Sequence, residues 1–364
     1  PVRDLVDSLG EAAVLVVVAD GADVSMSTPD PGIAVTNLAG GAAERWADIG
    51  VVAGRPDPFA VLNEAFAPAP ILIEVARRQA LSRPIVIVHW TSTDAAATFA
   101  RTLIRLEPES EATVFEIHAS PDVAALTAPV TELDVGDGAH LRYSQVQLLG
   151  ERAWQLGHLA SRAGRDASVT SAAVALGGDY ARLRTAATLV APGGNSRLLA
   201  VYFGIGEQMH DFRTVQDHRA PRTTSDLLYK GVVANRSHSV YTGLIRVEKG
   251  ARGTNAFQTN RNLVLHEGAH ADSVPNLEIE DNDVRCSHAS AVGPISADQR
   301  FYLESRGVPS VVAERLITLG FLDEVLDALP GAPGSPLLRQ AVAAKLYAAE
   351  EREASLLAVG EERR

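Results

Sequence analysis

The chain has 364 residues, 46% hydrophobic and 21% charged, with a net charge of -12. That length allows two or three domains and a sizeable core, and the negative balance argues against nucleic acid or an anionic membrane surface as partner. The single cysteine, Cys286, cannot close an internal disulfide and points to a reducing compartment. The apolar runs "AVLVVVA" (Ala13 to Ala19) and "PIVIVHW" (Pro84 to Trp90) are strand-sized, too short to span a membrane. The first residue is Pro1, and the N-terminal stretch lacks the basic and apolar segments of a signal peptide. The expected location is the cytoplasm.

Residues 1–110 mix short strands with helical runs and predict a small α/β region. Residues 57–76 read as a helix followed by a Pro-bounded strand, and Thr93 to Leu106 places its apolar groups on one helical face. From 111 to 293 the texture changes to short alternating runs rich in β-formers, each closed by Gly, Asn or Asp. A short helical stretch is expected only near "ERAWQLGHLASRAG". Many strands without intervening helices exclude a doubly wound sheet and leave a sandwich, a barrel or a solenoid. The related pieces "EKGA" and "HEGA", 18 residues apart, suggest one coil of a parallel β-helix. Residues 294–364 are expected to be helical. Ser296 and Gln299 form a capping pair, and Gly307 closes that first run. Ser310 is expected to cap a second helix ending at Gly320. After the linker "LPGAPGSP", Ser335 and Pro336 open a last helix whose apolar stripe must pack on something, a partner subunit being one choice.

Four groups of residues carry candidate chemistry. "HEGAH" (His266 to His270) matches the pattern of zinc peptidases, but that mechanism needs a helix. In a strand, positions four apart sit ~13 Å apart, so two surface histidines flanking a turn are expected. His210 and His218, with Asp211 and Asp217 beside them, could hold a metal. Glu278, Glu280, Asp281 and Asp283 could supply the acid and base of a β-helix carbohydrate-active enzyme. Such sites use aromatic platforms, and no Trp or Tyr lies between Leu244 and Arg300. Cys286 and His288, two apart in an alternating strand, project to one face. Thiolate and imidazole both suit iron or zinc, and Arg285 or His288 could lower the thiol pKa. Two ligands leave such a site incomplete, and a packed cysteine beside a hydrogen-bonded histidine is the plainer alternative.

Three stretches carry a resemblance. They are "HRAPRTTSDLLYKGVVANRSHSVYTGLIRV" (His218 to Val247), "NLEIEDNDVRCSHASAVG" (Asn276 to Gly293) and "FYLESRGV" (Phe301 to Val308). Together they resemble the SufD branch of the SufB/SufD family, scaffold proteins of the Suf iron–sulfur cluster assembly machinery. The resemblance implies a non-enzymatic scaffold with a right-handed parallel β-helix core, an N-terminal α/β region and a C-terminal helical domain. It implies a complex with a paralogous SufB-type scaffold and a SufC-type ABC ATPase docked on the helical domain, or a homodimer in isolation. The chain holds no phosphate-binding loop of its own, so ATP belongs to the partner. The resemblance further implies that His288, with Cys286, lies at the interface of the two scaffolds, where a nascent iron–sulfur cluster is assembled. The other scaffold type carries a cysteine where Asn260 stands here. Ala289 departs from the glycine usual in the family, and "HEGAH" is no family signature. A carbohydrate-active β-helix enzyme and a zinc metallopeptidase are the alternatives from another class.

Overall fold

β-formers separated by tight turns stack here into two columns of strands. The structure, a computed structural model, describes residues 2–41, 43–329 and 335–362. The chain opens with α1 (Val2–Ser8), β1 (Val14–Ala19), β2 (Asp23–Met26) and β3 (Ile33–Asn37). Two short 3₁₀ turns precede α2 (Pro58–Phe66). Next come β4 (Ile71–Val75), β5 (Ile85–Trp90), β6 (Ala96–Thr98), β7 (Arg101–Leu106), β8 (Glu111–Ala119), β9 (Ala125–Thr127) and β10 (Val130–Val135). The regular stack continues with β11 (His140–Leu148), β12 (Trp154–Ala163), β13 (Ser168–Ala175), β14 (Tyr180–Leu189), β15 (Asn195–Gly204) and β16 (Met209–His218). It ends with β17 (Thr224–Val233), β18 (His238–Val247), β19 (Thr254–Val264), β20 (His270–Ile279) and β21 (Val284–Gly293). Three helices complete the chain: α3 (Ala297–Glu304), α4 (Ser310–Leu326) and α5 (Ser335–Glu362).

Consecutive strands alternate between two sheets, and each pairs in parallel with the strand one coil away. The result is the parallel β-helix that the family resemblance implies, one of the folds that the alternating runs leave open, with about eight turns. Ser168, Asn195, Thr224 and Asn255 lie in register on successive coils, so one coil takes 27 to 31 residues along their sheet, and the last step on the other, His238 to His270, takes 32. The "EKGA" and "HEGA" pieces therefore mark no coil. They are the turns after β18 and after β19, half a coil apart and leaving opposite sheets.

The two sheets differ in their outer faces. One runs β2-β1-β5-β8-β11-β13-β15-β17-β19-β21. Val86, Phe115, Val174, Val201 and Val232 on its outside pack against Leu322, Val325, Val342 and Leu346 of α4 and α5, with Leu5 and Leu9 of α1. We call it the covered sheet. The other, built mainly from even-numbered strands, leaves much of its outer face to solvent. β14 and β18 accordingly alternate buried and half-buried positions along their whole length.

This difference explains where sequence patterning misleads. Thr93 to Leu106 forms β6 and β7 rather than a helix, and "ERAWQLGHLASRAG" forms β12. Both runs are buried on both faces in long stretches, so the period-2 signal is lost. Residues 57–76 do fold as the helix α2 and the strand β4. The stack begins well before residue 111, since β1 pairs in parallel with β5, and β4 with β7.

In the C-terminal helices, the Ser296 hydroxyl accepts from the Gln299 amide at 3.4 Å, and Gly307 takes the left-handed conformation (φ 84°) that ends the run. Ser310 does not cap α4. Pro309 holds that position without a side-chain bond, and the helix passes through Gly320 to Leu326. Packing of Leu322, Val325 and Leu326 on the covered sheet outweighs the low helix propensity of that glycine. Residues 330–334 of the expected linker lie outside the described residues. The stripe of α5 needs no partner subunit, because Leu338, Val342, Leu346 and Ala349 bury against the chain's own solenoid. Among the described residues, no helix is long and apolar enough to cross a membrane.

Candidate functional site at the open end of the solenoid

The two ends of the stack are finished differently. At the N-terminal end, β2 runs antiparallel to β1, and β3 antiparallel to β4, closing each sheet with a reversed strand. The C-terminal end has no comparable closure among the described residues. β21 is the edge of the covered sheet and β20 the edge of the open-faced one. Each is a ten-residue strand with one unpaired side.

Register shows which side chains this end displays. Ile245 and Val247 are fully buried on the inner face of β18. Their partners one coil on, Leu277 and Ile279, are 36% and 41% exposed. On the covered sheet, inward-facing Ala256, Gln258 and Asn262 are buried, and their partners are Cys286, His288 and Val292, the last 43% exposed. These residues point into the lumen of the solenoid and meet solvent because no further coil lies beneath them. Repeat folds cap such ends or stack another unit there.

Cys286 and His288 thus share one face, with Ser287 turned away. Cys286 packs beside Ile245, Val247, Ala251 and Ala256. Burial pushes its thiol pKa up, against a weaker opposing effect of the Ala256 backbone hydrogen bond. Arg285 and His288 therefore do not activate it in the way their proximity in sequence suggests. His288 is exposed, on the inner face of the last coil. Asn260 lies inside the solenoid, donating to the Tyr202 hydroxyl at 3.1 Å and accepting from Asn262 at 2.9 Å.

The other candidates separate. His210 and His218 stand at opposite parts of β16, eight residues and roughly 26 Å apart, and cannot share an ion. Burial drives both rings toward the neutral form, His210 to a pKa of about 3 and His218 to about 4. His218 spends both nitrogens on Thr223 and Ser225, at 2.7 and 2.8 Å. In "HEGAH", the backbone turns at Glu267 and Gly268. His266 Nδ1 accepts from the Asn235 amide at 2.7 Å and faces Glu353 of α5, while His270 joins the outer face of β20. The turn that sequence predicts is present, and the two rings diverge. Of the acidic run, Glu278 pairs with Arg246 at 3.0 Å, and Asp281 accepts from the amides of Asp283 and Gly250. These carboxylates are engaged in surface structure.

Two clusters escape sequence reading. Inside the solenoid, Glu116 accepts from His89, Thr102, Thr131 and Tyr143. Burial alone would raise its pKa, but His89, His118 and the hydroxyl of Tyr143 together hold it well below the usual range. On the outer surface, His238 and His270 flank Asp272. Their 32-residue separation acquires meaning only once the coil length is known.

Comparison with known proteins adds to this geometry. Residues 89–321 match the family described as SUF system FeS cluster assembly, SufBD core domain. An iron–sulfur cluster assembly SufBD family protein of Mycobacterium tuberculosis is 34% identical over 263 residues, covering 70% of this chain and 66% of the relative. The iron–sulfur cluster assembly protein SufD of Escherichia coli is 30% identical over 286 residues, 76% of this chain and 68% of that protein. SufD of Bacillus subtilis is 29% identical over 273 residues, 74% and 62% respectively. The chain thus spans about two thirds of the length of the curated relatives it matches.

Proposed function

The chain belongs to the SufBD family of iron–sulfur cluster assembly proteins, and we propose that it is a SufD-type, non-enzymatic scaffold subunit working in the cytoplasm. A paralogous SufB-type scaffold stacks on the open end, and a nascent cluster forms at that joint as cargo. The observation that carries this reading is the uncapped last coil, where core-type residues and two free strand edges face solvent beside Cys286 and His288. A partner coil laid on β20 and β21 would bury Leu277, Ile279 and Val292. It would also complete the ligand set that a lone Cys–His pair leaves unfinished.

In this reading His288 is a ligand toward the cluster, and Cys286 is a second ligand or a sulfur carrier. The expected result for His288→Ala is a complex that still assembles, because the pairing area comes from whole strands and not from one exposed ring. Its iron and acid-labile sulfide per anaerobically purified complex should fall several-fold. Equal loading in wild type and variant would make His288 a bystander and remove it from the site.

We place the ABC-type ATPase partner on the C-terminal helices. Phe301 and Tyr302 of α3, which buries none of its side chains, are exposed, as are Val311 and Leu316 of α4, whose other face is already docked on the solenoid. Deleting these helices would be a poor test, since α4 and α5 cover the outer face of the covered sheet and its apolar side chains would be laid bare. The double variant Phe301→Ala, Leu316→Asp instead changes only exposed positions. It should weaken binding of the ATPase about tenfold or more, the loss expected for aromatic and aliphatic interface anchors. An unchanged calorimetric titration would move the docking surface elsewhere.

A further inference from the structure

We propose that His238, His270 and Asp272 form a binding site for a divalent first-row transition-metal ion on the outer face of the last coil. His238 opens β18 and His270 opens β20, directly opposite each other in the parallel register. Asp272 is two residues further on and therefore on the same face. Both histidines aim the same atom, Nε2, at the carboxylate: His238 reaches Oδ2 at 2.9 Å and His270 reaches Oδ1 at 3.1 Å. The potential ligand atoms all lie within 4.8 Å of one another.

Those separations have a chemical meaning. With metal–ligand bonds of ~2.1 Å, neighbouring donors around an octahedral ion sit about 3.0 Å apart. Two imidazoles and one carboxylate on a single face, with the remaining positions open, are the donor set that non-haem ferrous iron accepts. The backbone holds the ligands in place. The His238 amide donates to Gln208 O at 2.9 Å and the His270 amide to Ser237 O at 3.0 Å, so both strand starts are pinned to the coil above. All three side chains are at least partly open to solvent, which gives an ion an entry path and leaves room for water or cargo. The buried cluster of His89, Glu116 and His118 lacks this property, because four donors already occupy its carboxylate. Binding would take each imidazole in the tautomer that carries its proton on Nδ1, which leaves the Nε2 lone pair to the metal.

The site rests on this geometry alone. Its use as a holding place for ferrous iron rests on the assembly function proposed above. The test uses the untagged full chain under anaerobic conditions, titrated with Co²⁺ by visible absorption and with Fe²⁺ by calorimetry. Wild type should bind one ion at this site. His270→Ala and Asp272→Asn should each weaken binding by ~10-fold or more, and the pair His238→Ala, His270→Ala should abolish it. His266→Ala, in the other half of "HEGAH", should bind as wild type does. Thermal unfolding with and without Co²⁺ should show a metal-dependent rise in Tm in wild type that Asp272→Asn lacks. No binding by wild type at millimolar metal, or equal affinity in Asp272→Asn, overturns the site while leaving the scaffold reading standing. Equal cluster loading in wild type and His288→Ala, with Co²⁺ binding that Asp272→Asn loses, would remove His288 from the assembly site and leave this site standing by itself.

Discussion

Leu277→Asp with Ile279→Asp should abolish pairing through the open end while leaving the isolated chain folded. The two halves of that expectation have separate physical grounds. Both side chains are already more than a third exposed, so a carboxylate at either position keeps its hydration, and a change at an exposed position rarely costs more than ~0.5 kcal/mol of stability. A stacked partner coil reverses the situation. The same positions one coil earlier, Ile245 and Val247, are fully buried. Placing two carboxylates in that environment without cationic partners costs several kcal/mol per charge. Each 1.4 kcal/mol is about a factor of ten in affinity, so pairing should fall below detection at micromolar concentration. Light scattering on a sizing column would report it, both for the isolated chain and for its mixture with a SufB-type scaffold. A variant that pairs as wild type does would show that association uses another face. Pro275, facing Gly243 from the edge strand, already breaks the row of free amides on β20. A partner strand laid there would find one donor fewer on that side, which makes the lumen contacts the better target for the variant.

The strands of the solenoid are legible in the sequence because they alternate, whereas their stacking into coils is carried by the family resemblance. Alternation survives wherever one face meets solvent, as in β14 and β18. It disappears where both faces are buried. β7 and β12 have long fully buried stretches and imitate helices for that reason. The first coils are hidden by the same effect in β4, β5 and β7, and by the reversed strands that close them. Cys286 and His288 stand out because the cysteine is unique and the spacing is two, a pattern that strand geometry interprets directly. Their exposure does not stand out, since it depends on the absence of a further coil. The triad of His238, His270 and Asp272 is invisible for the opposite reason. Two of its members are one coil apart, and the sequence does not reveal the coil length. "HEGAH" draws attention to His270 with the wrong partner, because proximity in sequence is not proximity in space across a turn.

The Lys230–Gly231 pair, part of the stretch that carries the family resemblance, should prove a packing device, and Gly231→Ala should be among the most destabilising single substitutions in the chain. The two residues face opposite ways on β17. Lys230 points outward, where its ammonium donates to Phe321 O at 2.8 Å, pairs with Glu324 and lies 4.4 Å from the Phe321 ring centre, tying α4 to the covered sheet. Gly231 points into the lumen between Tyr202 on β15 and Asn262 on β19, its partners in register. The Tyr202 hydroxyl crosses this coil to donate to Asn262 Oδ1 at 2.6 Å and accepts from Asn260 at 3.1 Å. That crossing is open only because residue 231 has no side chain. A Cβ there would lie 1.9 Å from a Tyr202 ring carbon and 2.5 Å from Asn262 Oδ1. The ring, itself 1% exposed within a packed core, has no empty space to enter. Overpacking of this kind costs ~1–3 kcal/mol, and the broken buried hydrogen bonds add about 1–3 kcal/mol. Chemical denaturation should therefore show a loss of about 2–6 kcal/mol. The double variant Gly231→Ala, Tyr202→Ala separates the clash from any intrinsic need for glycine. Removing the ring makes room for the methyl group, so the two changes should cost less together than the sum of each alone, by roughly 1–3 kcal/mol. Strict additivity would mean that Tyr202 is not what position 231 must avoid, and the strain would have to be sought in the β17 backbone.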